Sequence, residues 1–164
     1  MDVYQILIQD HHKIAKMFEE IARISNTEAE RRRQLFSDLW ITIVDHEFTE
    51  ENDLLSIVDD MSSFCANDET NATIKKMVAR SFDDHAAFEA ILQQISKLPA
   101  SDDEWLEQLN ELRDIIREHV HNEEQKLFPA AQEVLDQTQA EEIGRQIEER
   151  RPHEGRSRLT AEYG

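Results

Sequence analysis

The sequence predicts an all-α protein, a four-helix bundle made from two copies of one helical hairpin, and three observations carry that prediction. Only three Gly and three Pro occur in 164 residues, and no run of alternating β-branched residues argues for strand. Apolar residues recur at 4-3-4-3 spacing in four long segments, the pattern of a helix with one buried face. The second half of the chain also repeats the first at a nearly constant offset: His11 to His85 is 74 residues, and His46 to His119 and Glu50 to Glu123 are 73.

The first helix is predicted from Val3 to Ile24, with Leu7, His11, Ile14, Phe18 and Ile21 on one stripe. His12 is turned about 100° from its neighbour and falls on the surface. A capping box, Thr27-x-x-Glu30, opens a second helix that lasts to about Asp60, its seam running Leu35, Leu39, Ile43, His46, Glu50, Leu54 and Ile57. Residues Met61 to Asn71 carry no apolar period and are predicted as the loop between halves, with Cys65 an ordinary thiol in it.

The third helix spans Ala72 to Lys97 and stops at Leu98-Pro99, because the residue before proline disfavours the α conformation. Its seam is Ile74, Val78, Ser81, His85, Phe88, Leu92 and Ile95. A second box, Ser101-x-x-Glu104, opens the fourth helix, whose stripe Trp105, Leu109, Leu112 and Ile116 leads to His119 and Glu123. Pro129 is expected to kink or end that helix. A third box, Thr138-x-x-Glu141, starts a short fifth helix to about Arg151; beyond Pro152 the tail, His153 included, is expected to fray and carry no function. The chain therefore divides into a bundle over residues 1–135 and a short helix with a flexible tail over 136–164.

A net charge of -18, from 36 acidic against 18 basic residues, would repel phosphate backbones and anionic lipid, so neither nucleic acid nor a membrane surface is an expected partner. One cysteine forms no internal disulfide, and no apolar segment is long enough for a signal peptide or a membrane span. A reducing cytoplasm is the expected location.

Each hairpin presents one His from its first helix and a His-x-x-x-Glu pair from its second, so the closed bundle brings His11, His46, Glu50, His85, His119 and Glu123 to one level. Buried carboxylates seldom persist unpaired, and six polar groups on the core seams ask for a common partner. Four imidazoles and two carboxylates suit iron, manganese or zinc better than copper(I) or calcium, and are enough for two ions if both glutamates bridge. Glu89, four residues after His85, is a weaker candidate because Ala15 holds the equivalent place in the first half; His121 points to another face. Glu47, Glu51 and Glu124 belong to solvated faces, from which one could orient a ligand imidazole.

These residues resemble the hemerythrin-like, or HHE cation-binding, family. The likeness lies in Asp10-His11, Asp84-His85, His46-x-x-x-Glu50, His119-x-x-x-Glu123 and the run EEQKLFP from Glu123 to Pro129, and it covers about residues 3 to 135. It implies an up-down-up-down bundle around two non-heme iron ions, oxo- or hydroxo-bridged, with zinc or manganese less favoured, that bind dioxygen or a related small molecule. Oxygen-carrying members have a fifth histidine one turn from the third-helix ligand; here Ser81 and Glu89 stand in those places. The four-His, two-Glu set is similar to that of bacterial di-iron proteins linked to iron–sulfur cluster repair and nitric oxide stress, and other relatives decompose peroxide or act as sensors.

Two functions follow as expectations. The first is a di-iron oxidoreductase or binder of O₂, peroxide or NO, served by an electron-donor protein. The second is an iron-responsive binding or storage module without turnover. His46-Glu47-x-x-Glu50 lacks the second His of a zinc-protease motif, and Glu118-x-x-His121 is the sole Glu-x-x-His of the ferritin type.

Overall fold

The computed structural model describes the backbone of residues 1–163 and the side chains of residues 1–151. Every described element is helical: α1 (Val3–Ala22), α2 (Ala29–Thr49), a π-helical turn (Glu50–Leu55), α3 (Ser56–Cys65), α4 (Asp68–Ser96), α5 (Asp103–Asn122), a second π turn (Glu123–Leu127), α6 (Phe128–Val134) and α7 (Gln137–Tyr163). Because α2 runs through its π turn into α3, and α5 through its own into α6, the bundle has four long members in up-down-up-down order. α7 lies on α1 and the first π turn.

The core is split by a polar layer. On one side Val3, Leu7, Leu54, Leu55, Val58, Ile74, Val78, Leu127 and Phe128 pack together with Ile143 and Ile147 of α7. On the other side lie Ile14, Phe18, Phe36, Leu39, Ile43, Phe88, Leu92, Trp105, Leu109 and Leu112. Between them sit the buried polar residues His11, His46, Glu50, Ser81, His85, His119 and Glu123. The far end is tied by Arg32, whose buried guanidinium donates to the carbonyls of Ile24 and Ala100 and thereby joins the two hairpin loops.

The structure corrects several expectations about boundaries. The loop predicted from Met61 to Asn71 is helix except around Ala66 and Asn67, and Cys65 is the exposed last residue of α3. Its polar residues are helix furniture: the Ser62 hydroxyl donates to Asn71 Oδ1 at 2.7 Å, and Asn67 Oδ1 accepts from the Thr70 amide at 2.8 Å as the cap of α4. None of the three boxes caps as predicted. Glu28 and Asp102 stand at the N-caps of α2 and α5 with no side-chain cap bond. The reciprocal boxes are Asp2 with Gln5 and Asp136 with Gln139, where a glutamine takes the place of the expected glutamate.

Pro129 neither kinks nor ends its helix in the manner expected. It occupies the first turn of α6, where a missing N–H costs little, and the wide π turn lies just ahead of it, with the Phe128 amide bonded to the Glu123 carbonyl five residues back. The first half has the same device without proline, the Ser56 amide reaching the Glu51 carbonyl. α7 runs past the end expected at Arg151. The frayed tail from Pro152 and the absence of a role for His153 concern side chains outside the described residues.

Close packing seats α7. A Cβ at Gly144 would strike the backbone of Met1 and Asp2, so only glycine lets the helix lie this near the N-terminus. Gln137 Nε2 donates to Asp2 Oδ2 at 3.2 Å beside it.

Candidate metal centre

Both π turns begin at the glutamates the sequence singled out, so each hairpin widens its second helix where it presents a carboxylate to the core. π turns are rare and concentrate at functional sites. All six predicted residues are buried and converge, forming two groups of four: His11, His46, Glu50 and Glu123, and Glu50, His85, His119 and Glu123. Within each group the ligand atoms lie within 4.8 Å of one another. Both glutamates belong to both groups, so each could serve two ions, with two imidazoles at either end.

The inner distances are short. His46 Nε2 lies 3.1 Å from Glu50 Oε2 and His119 Nε2 2.6 Å from Glu123 Oε1, each pair one helical turn apart. His11 Nε2 reaches Glu123 Oε2 across the bundle at 3.2 Å, and His85 Nε2 is 4.0 Å from Glu123 Oε1.

Outward, every imidazole meets a carboxylate. His46 Nδ1 donates to Asp10 Oδ2 at 3.0 Å and His119 Nδ1 to Asp84 Oδ2 at 2.9 Å, each aspartate coming from the first helix of the same hairpin. His11 Nδ1 donates to Glu124 Oε1 at 3.0 Å and His85 Nδ1 to Glu51 Oε1 at 2.9 Å, each glutamate coming from the other hairpin. An acceptor at Nδ1 fixes the proton there and leaves the Nε2 lone pair aimed inward, as an imidazole that binds metal requires.

The centre fits a cation on its own evidence. Nε2 of His11, His85 and His119 and Oε2 of Glu50 and Glu123 are buried and make no well-directed hydrogen bond, the polar atoms nearest to them being others of the same six residues. Donor and acceptor atoms thus face one another across a buried level with nothing else to satisfy them, and a cation among them would serve all of them at once. The mixed imidazole and carboxylate set matches divalent transition metals.

Protonation tells the same story. Burial alone would push His46 down, but hydrogen bonds to Asp10 and Glu50 carry it up to about 10, and Glu123 and Asp84 likewise carry His119 up to about 9. Glu50 is raised by burial and by Glu123, whereas Glu123, despite its own burial, is held down by His11 and His119. His85 is lowered by burial. Protons thus occupy the positive role that metal would take.

Several side chains correct the sequence reading. Glu51 and Glu124 are half-buried rather than on solvated faces, and both take the expected part of orienting a ligand-set imidazole; Asp10 and Asp84 share that task, which the repeated Asp-His pairs could have revealed. Glu89 turns from the centre and accepts from Trp40 Nε1 at 3.0 Å. Glu47 leaves the solvated face: its Oε1 is buried without a partner, and burial pushes the carboxyl up to about 8. His12 and His121 are exposed.

A small cavity of about 20 Å³ lies against the centre, lined by all four histidines, Glu47 and the apolar side chains Ile14, Ile43, Phe88, Ile116 and Val120. A second opening, of about 60 Å³, reaches Ser81, His119 and Glu123 between Arg80 and Lys126. Ser81 Oγ donates to Glu123 Oε1 at 2.8 Å, so the residue in the fifth-histidine place steadies a shared carboxylate.

Comparison with known proteins agrees with this geometry. The hemerythrin HHE cation binding domain model matches residues 2–131. A DNA nickase from Nostoc sp. is 24% identical over 142 residues, which is 87% of this chain and 37% of that protein. The chain thus spans little more than a third of that relative. The crystal structure of a hemerythrin HHE cation binding domain-containing protein from Mycobacterium kansasii superposes with a TM-score of 0.75 at 21% identity, covering 93% of this chain and 86% of that one, a likeness of fold.

Proposed function

Because this chain belongs to the hemerythrin HHE cation-binding family, we propose that it is a non-heme di-iron protein that binds or reduces a small oxidant, namely O₂, peroxide or NO. The observation that carries the reading is the sharing of Glu50 and Glu123 by both ligand groups, since two ions so close need common anionic bridges. His11 and His46 would hold one ion, His85 and His119 the other. Bound there, iron would supply the electrons that a small oxidant accepts.

The chain's own residues set the conditions. Asp10, Glu51, Asp84 and Glu124 hold the four imidazoles in one tautomer and orientation. The 20 Å³ cavity that faces all four histidines has room for about one water-sized molecule, which suits a small oxidant. Its wall is mostly apolar, and Glu47, with Oε1 buried, is the one polar residue in it outside the ligand set that could hold a proton beside the bound molecule. Lacking a fifth histidine, the centre suits turnover or sensing better than reversible oxygen carriage. We assign no DNA contact to this segment: a net charge of -18 opposes phosphate, and the nickase is matched over 37% of its length.

Stopped-flow mixing of the diferrous protein with O₂, H₂O₂ and NO tests this. A new absorption band or consumption of oxidant is expected with at least one of them, and silence with all three removes the reading. In that event the iron-responsive module without turnover stands, since Arg151 of α7 pairs with Asp10, the acceptor of the His46 Nδ1 bond. It predicts a higher melting midpoint with metal and no oxidant consumed.

A further inference from the structure

α7 lies beyond the matched family domain, yet it reaches the centre. Arg151 forms a two-pronged ion pair with Asp10, Nη1 to Oδ1 at 2.9 Å and Nη2 to Oδ2 at 2.7 Å, and that same Oδ2 accepts from His46 Nδ1 at 3.0 Å. Arg151 Nη2 also donates to Thr49 Oγ1 at 3.0 Å, in the turn before Glu50. Its neighbour Arg150 pairs with Asp53 Oδ2 at 2.6 Å and stacks over Phe48, 5.5 Å from the ring centroid.

Among the described residues the other half has no such clamp. Asp84, which holds His119, has a side chain 34% exposed against 15% for Asp10, and no arginine pairs with it among the described residues. The repeat explains why α7 chooses one side. At the offset of 73, Asp53 becomes Lys126 and Thr49 becomes Asn122, so the surface that receives two guanidiniums on the first hairpin carries a cation on the second.

We propose that Arg151 is a positioning residue for the His11/His46 metal position, acting through Asp10, and that the docking of α7 and the filling of that position support one another. The inference rests on the di-iron reading. Held by both prongs, Asp10 cannot swing to solvent, and His46 keeps the ring orientation that aims Nε2 at Glu50. Freed, Asp10 and the ring would explore rotamers that must be lost again when metal binds. Lysine in place of Arg151 keeps charge but not the planar fork, and should serve partially. Linkage requires reciprocity: whatever factor the docked α7 adds to metal affinity, metal adds to the docking of α7.

Anaerobic Fe(II) titration of wild type, Arg151→Gln and Arg151→Lys tests the first half of this, with Arg145→Gln as control, because Arg145 pairs with Glu142 and Glu149 on the exposed side of the same helix, away from the centre. Arg151→Gln should weaken one of two binding steps by roughly tenfold and spare the other, with Arg151→Lys in between and Arg145→Gln unchanged. Hydrogen exchange of the wild-type amides from 137 to 151, with and without Fe(II), tests the second half and needs no variant. Metal should slow that exchange by a similar factor. Two unaltered binding steps in Arg151→Gln, or α7 exchange indifferent to metal in the wild type, would overturn the inference. Failure of the di-iron reading looks different: the wild type itself would take up fewer than two ions, and both ideas would fall.

Discussion

The two hairpins agree in everything that touches the candidate ions and differ in what surrounds them. Each supplies one His from its first helix, a His and Glu from a second helix widened by a π turn, an Asp for its own hairpin and a Glu for its neighbour's. Outside that set the symmetry ends. Asp10 is clamped by Arg151 where Asp84 is partly open; Leu7 stands where the second half has Ser81; Glu47 stands where it has Val120. The inner donors repeat between the halves, and the outer residues give each half a different setting. Two ions with identical inner donors would therefore not be equivalent.

The largest effect should come from breaking what the halves share. Glu50→Ala or Glu123→Ala removes a donor from both groups and should lower affinity at both positions by roughly a hundredfold or more, read as iron per chain after gel filtration. His46→Ala or His119→Ala should empty chiefly one position. If a single histidine variant loses both ions as completely as a glutamate variant, the two positions are filled as a unit and the comparison needs recasting.

Removing the outer aspartates sharpens the contrast. Asp10→Asn and Asp84→Asn should each weaken metal binding by ~10–100-fold, the Asp10 variant more, because it also strips Arg151 of its partner. Equal losses in competition assays would place the two halves on the same footing.

In the metal-free protein, His46 and His119 stand at about 10 and about 9 against an ordinary 6.5. Groups raised in the fold add stability that is fully present below 6.5 and is lost as pH climbs through 9 and 10. The histidines should thus lower the apo melting midpoint between about pH 6.5 and 10, adding to a fall that the raised carboxyls of Glu47 and Glu50 begin above about 4.5, while the iron-loaded midpoint falls less because metal has replaced the protons of its ligands. Parallel apo and loaded curves would mean that the histidines do not exchange protons for metal.

Smaller effects lie further out. Gly144→Ala drives a methyl into the backbone of Met1 and Asp2, and thermal melting should show a loss of ~1–3 kcal/mol together with weaker α7 docking. Ser81→Ala deletes the hydroxyl that steadies Glu123 and should cost about 1 kcal/mol in the apo protein.

Most of the bundle and the convergence of six side chains were legible in the sequence, because both follow from period and repetition. A His and a Glu four apart on an apolar seam have no option but to face the core, and a constant offset ties one hairpin to the other. What stayed hidden depends on contacts between elements. Asp10 was visible as a neighbour of His11, but its bond is to His46 on another helix, and its second partner is 141 residues away. The π turns left no mark beyond Pro129, which pointed to a break and instead sits just past the widened turn. Ser62, Asn67 and Asn71 looked like loop because serine and asparagine usually do, yet here they cap and cross-link two helices. The unusual setting of Glu47 arises from burial against the other hairpin, which no local pattern reports.

The central claim is a pair of iron ions joined by Glu50 and Glu123. Metal analysis with Mössbauer spectroscopy on freshly purified, oxidised protein tests it most directly. The account predicts two irons per chain, magnetically coupled to a diamagnetic ground state, with two resolved environments. One iron per chain, uncoupled ferric signals, or a protein that carries zinc and takes up no iron would contradict it.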